Sequence, residues 1–89
     1  MFLLARLRVE EEGTEHQVRV RNLSAGGMMA EYPAPVTAGT PVTIELRGIG
    51  RIAGRIAWAT DGRIGIAFDQ QIDPMRARKP VGVKPGLRR

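Results

Sequence analysis

Apolar and polar residues alternate along six short runs of this chain, and that period of two most tightly limits what it can fold into. Residues 3–9 place Leu3, Ala5, Leu7 and Val9 on one face and Leu4, Arg6 and Arg8 on the other. Residues 16–22 continue with Val18 and Val20 inward and Arg19 and Arg21 outward. A short run at 27–31 has Met28 and Met29 straddling both faces. Residues 41–47 set Val42, Ile44 and Leu46 against Thr43, Glu45 and Arg47. Residues 51–59 put Ile52, Ile56 and Trp58 on one face, and residues 63–68 turn Ile64, Ile66 and Phe68 inward. Turn chemistry separates the runs: Gly13 within a polar 10–15 stretch, a Pro- and Gly-containing loop at 32–40, Gly48-Ile49-Gly50, and Asp61-Gly62. Six short strands with such turns predict an all-β, six-stranded antiparallel barrel, because closure hides the edges that a short open sheet exposes.

At 89 residues the chain is one domain with a small core. Residues 1–72 form the predicted barrel. In residues 73–89, Asp73 offers an N-cap and Pro74 a first helical position. A short helix over Met75–Lys79, stopped by Pro80, then leads into a basic tail. The net charge of +5 sits entirely in that tail: residues 1–69 balance eight basic against eight acidic side chains. The predicted barrel is therefore neutral, which argues against a DNA or RNA footprint on it. The tail, with Arg76, Arg78, Lys79, Lys84, Arg88 and Arg89, reads as a solvated, mobile end suited to an acidic partner. There is no cysteine. That removes disulfides and cysteine metal sites and fits a cytoplasmic protein. The apolar start Met1–Ala5 is too short for a membrane span.

The stretch Arg21-Asn22-Leu23-Ser24-Ala25-Gly26-Gly27 carries the chemistry. Asn22 and Ser24 offer a short amide and a hydroxyl. Gly26 and Gly27 leave main chain bare, so that a flat ligand or another strand can approach. Taken alone, the same residues also describe a turn closed by side-chain-to-backbone hydrogen bonds.

This Asn-x-Ser-x-x-Gly pattern resembles the second signature of the PilZ domain family. Gly54-Arg55-Ile56-Ala57-Trp58 is similar to that family's late strand, and Arg63-Ile64-Gly65-Ile66-Ala67-Phe68 to its last barrel strand. The resemblance covers roughly residues 3–73. It implies a PilZ-like barrel and binding of the bacterial second messenger cyclic di-GMP, with Asn22, Ser24, Gly26 and Gly27 as ligand-binding residues. The family's first signature, two arginines four apart ahead of strand one, has no counterpart here. Arg6 and Arg8 stand nearest, two apart and inside a strand; a solvated face paired with the hairpin glutamates is the competing account of them. Arg47, Arg51 and Arg55 have the four-residue spacing but follow the glycine signature and lie on a strand face.

No catalytic constellation emerges, so no enzyme, cofactor or metal is expected. His16 is the only histidine, which leaves metal binding without its usual ligands. Asp69 and Asp73 read as solvated caps. The expected function is a cyclic di-GMP-binding signalling module. The alternative is a nucleotide-independent adaptor for a protein partner, since PilZ-like domains without the arginine pair can serve that way.

Overall fold

The computed structural model describes residues 3–33 and 35–78. Six strands form: β1 (Leu3–Val9), β2 (Thr14–Leu23), β3 (Gly27–Glu31), β4 (Pro41–Leu46), β5 (Gly50–Thr60) and β6 (Arg63–Phe68). A one-turn helix, α1 (Pro74–Arg78), follows them. The strands close into an antiparallel barrel in the order β1-β2-β3-β6-β5-β4, with β4 returning to β1. The expected tail beyond residue 78 and its Pro80 stop lie outside the described residues.

Alternation does what the sequence requires of it. Leu7, Val9, Val42, Ile44, Leu46, Ile56 and Ile64 are fully buried inside the barrel. Around them pack Ala5, Val18, Val20, Leu23, Met28, Ala30, Ile52 and Ile66. Filling an eight-strand or smaller barrel with side chains leaves no lumen, and the interior here is aliphatic. Tyr32, placed by sequence at the start of a loop, is instead 3% exposed and closes the core at one rim. Its main chain donates to the carbonyl of Gly62, and its ring meets His16 edge-on at 5.2 Å. Burial, and secondarily the charge of Glu12, pushes the Tyr32 hydroxyl above its ordinary pKa.

The opposite rim gathers the start of β1, the β2–β3 loop, the β4–β5 turn and the end of β6. After β6 the chain is pinned across this rim. Phe68 N–H donates to the Gly26 carbonyl and Ile72 N–H to the Ala25 carbonyl, each at 2.9 Å. Asp73 caps α1, accepting from the Met75 amide at 3.1 Å. Gly48 lets α1 approach the turn: its φ is +89°, and a Cβ there would collide with the Arg76 carbonyl. Ala77 is thereby buried against the barrel.

Two departures from regular pairing shape the outer wall. On β2 the register shifts between Val20 and Asn22, so Arg21 is an extra residue against β3. On β5 it shifts between Ile56 and Trp58, so Ala57 is extra against β6. Just before this second bulge, Ile56 is clamped from the other side: its amide donates to Thr40 and its carbonyl accepts from Gly39. A bulge reverses the in–out phase of everything after it. Trp58, expected inward with Ile52 and Ile56, is therefore on the outside and 40% exposed.

Candidate functional site

The loop at Ser24–Gly26 is built by its own hydrogen bonds. Ser24 N–H donates to the Gly27 carbonyl at 2.9 Å, and the Ser24 hydroxyl donates to the same oxygen at 3.2 Å. The hydroxyl proton is thus engaged, while its oxygen lone pairs remain available as acceptors. Gly26 is exposed, and a Cβ placed on it would meet nothing within 4 Å. Its carbonyl is held by Phe68, so the bare peptide is fixed in place. Gly27 has a different task. A Cβ there would collide with the Ile66 carbonyl, so the glycine lets β3 approach β6. The turn reading and the ligand reading therefore both have a claim on this stretch, divided by residue.

Asn22 is exposed, and its side chain makes no hydrogen bond to a described residue. Strict alternation after Val20 would have turned it into the core. The Arg21 bulge points both Arg21 and Asn22 outward and returns Leu23 to the interior.

Pairing across the barrel wall sets Asn22 opposite Met29, Met29 opposite Gly65, and Gly65 opposite Trp58. Residues directly opposite one another on neighbouring strands share a face. The four therefore make one row over β2, β3, β6 and β5, about 14 Å long at three strand spacings. The Trp58 indole lies over the buried Gly65; a Cβ at Gly65 would strike that ring. The result is a fixed, half-exposed aromatic face at one end of the row and an amide at the other. Sequence reasoning missed Trp58 as a surface group, since nothing in a period-two pattern announces an extra residue at Ala57.

Arg6 and Arg8 lie elsewhere. Arg6 pairs across strands with Gln17 and Glu45, and Arg8 with Glu15 and Thr43. Arg6 Nη1 is 3.9 Å from Glu15 Oε1, and Arg8 Nε is 3.9 Å from Glu10 Oε1. Gln17, opposite Arg6, is five residues along β2 from Asn22, or about 16 Å. Asn22, Ser24, Gly26 and Gly27 are brought together; Arg6 and Arg8 are not brought to them. No group of three or more His, Cys, Asp or Glu side chains among the described residues could hold a metal ion. Likewise, none of the described helices is long and apolar enough to cross a membrane.

The family model described as "PilZ domain" matches residues 1–79. Among solved structures, a PilZ domain of CeSA from a cellulose-synthesizing bacterium superposes with a TM-score of 0.64 at 20% identity. That match covers 88% of this chain and 84% of the other. No curated protein matches. With the six-stranded barrel, its signature loop and a family match over most of its length, this chain belongs to the PilZ domain family.

Proposed function

We infer that this domain is a non-enzymatic signalling module that binds cyclic di-GMP on the outer face of β2, β3, β6 and β5. PilZ domains are binding and regulatory modules, and cyclic di-GMP is the ligand the family implies. The observation that carries the reading to this chain is the bulge-built row from Asn22 to Trp58 beside the bare Gly26 peptide. In this reading Asn22 donates to and accepts from the edge of a guanine, and the Ser24 oxygen accepts a further hydrogen bond. The absence of a side chain at Gly26 lets the purine lie close to main chain. Trp58 offers a face for stacking, a contact worth about 1–3 kcal/mol per base where it has been measured by truncation. An exposed indole fixed over a glycine contributes less to folding than a buried one would, which is consistent with selection for contact rather than for core.

Calorimetric titration of cyclic di-GMP into the wild type and an Asn22→Ala, Ser24→Ala double variant tests this. Wild-type heat that disappears in the double variant is expected. No wild-type heat at about 100 μM, a limit near −5.5 kcal/mol, would remove the reading.

One observation favours the adaptor reading instead: Arg6 and Arg8 are committed to glutamates away from the signature loop. Under that reading the same outer face, or the basic tail, docks a protein partner without nucleotide. Pull-downs that recover the same partner with and without cyclic di-GMP, and lose it in Trp58→Ala, would support it.

A further inference from the structure

A carboxylate stands between two arginines one row away from Asn22 and Trp58. Glu31 closes β3, and its Oε2 accepts a hydrogen bond from Arg21 Nη1 at 2.9 Å. Arg21 is the bulged residue of β2, next in the chain to Asn22. On the other side, Glu31 pairs directly with Arg63 of β6. Arg63 forms no ion pair within 4 Å to another described residue. It stands two residues before Gly65, on the same outward phase. A regular β2 would separate outward side chains by a full repeat. The bulge instead sets Arg21 and Asn22 side by side on the ligand face.

Charge makes this cluster an anion site with its own occupant. Two arginines neighbour one glutamate, Arg21 by hydrogen bond and Arg63 by strand pairing, so a net positive charge remains. A guanidinium fork binds a carboxylate and a phosphate by the same planar donors, so the two compete for it. A cyclic dinucleotide brings two phosphodiester charges. We propose that Arg21 and Arg63 contact the phosphates of the bound dinucleotide, and that Glu31 is the internal anion these phosphates displace. This rests on the cyclic di-GMP reading of the adjoining face. Glu31 then acts against binding: every ligand that engages Arg21 must first break the Arg21–Glu31 pair.

The test is calorimetric titration of cyclic di-GMP into the wild type, Glu31→Gln, Arg21→Ala and Arg63→Ala, with pyrophosphate as a phosphate-only probe and thermal melting to verify folding. All three side chains are at the surface, so the variants retain the barrel. Glu31→Gln is expected to tighten binding about three- to tenfold, and each arginine variant to weaken it about tenfold, as for loss of one charge-assisted hydrogen bond. Wild-type binding that none of these changes moves overturns the proposal and leaves the cyclic di-GMP reading standing. Absence of binding in both the wild type and Glu31→Gln overturns the two together. Pyrophosphate binding as tight as the dinucleotide's reduces the cluster to a non-specific anion site and also overturns the proposal.

Discussion

The two halves of the barrel wall follow different rules. Over β1 and β4, every ladder is regular, and the outer face carries Arg6, Arg8, Glu10, Glu15, Glu45 and Arg51 in opposed pairs. Each charge there faces an opposite one: Arg6 meets Glu15 and Glu45, Arg8 meets Glu10 and Glu15, and Arg51 meets Glu45. Over β2, β3, β6 and β5, two bulges break the ladders. The outer face there presents an unengaged amide, a half-exposed indole and a bare glycine peptide. A wall that neutralises itself has little left to offer a ligand. A wall that holds an unengaged Asn22 amide and an exposed Trp58 indole in place is equipped to bind one. The difference lies in backbone register more than in composition, because both halves are drawn from the same alternating strands.

The comparison can be broken at several points. The largest effect is expected from Gly27→Ala. The new Cβ would run into the Ile66 carbonyl, which is main chain and cannot swing aside. Separating β3 from β6 should cost about 1–3 kcal/mol, read by urea unfolding, and displace the signature loop. Unchanged stability would mean that the β3–β6 approach is looser than described. Trp58→Ala should come next, lowering cyclic di-GMP affinity by about 1–3 kcal/mol in calorimetry while the barrel melts near its original temperature. If affinity held, the aromatic end of the row would be no part of the site.

Gly65→Ala is milder in its effect on folding. The indole it pushes has solvent to move into, so about 1 kcal/mol of stability is expected to be lost. Because Trp58 is the only tryptophan, its emission should shift to the red, and an unmoved spectrum would contradict the stacked geometry. Smallest of all is the double change Arg6→Ala, Arg8→Ala on the regular half. Exposed pairs at 3.9 Å contribute only about 0–1 kcal/mol in total stability. Denaturant midpoints should barely move, and ligand affinity should not change. A large loss of affinity would transfer the phosphate-binding role to these arginines and erase the distinction between the two halves.

How much of this was legible in the sequence follows the same division. Alternation placed β1, β3 and β6 at their observed limits, and located β2, β4 and β5 to within two residues at their ends. It also put Leu7, Ile44, Leu46 and Ile64 inside. The strands that carry these four, β1, β4 and β6, have no inserted residue, so a count of two does not lose phase along them. It failed where a residue is inserted against the partner strand. Trp58 was placed in the core because Ala57 looks like an ordinary strand residue, and the strict count would have hidden Asn22 as well. Tyr32 escaped for another reason: proline at position 33 marks a loop, yet a residue at a strand end can still fold over the rim. The Asn-x-Ser-x-x-Gly signature was legible. The division of labour within it was not, since only the packed strands reveal that Gly27 faces Ile66 while Gly26 faces solvent.

The most direct test of the central claim is an amide and indole NMR titration of the full chain with cyclic di-GMP. The amides of Asn22 to Gly27 and the Trp58 indole N–H should shift together and saturate, while the amides of Arg6, Arg8, Thr43 and Glu45 stay in place. A spectrum that does not move with messenger in excess, or that moves only over β1 and β4, would contradict the assignment of the bulged wall as the binding face.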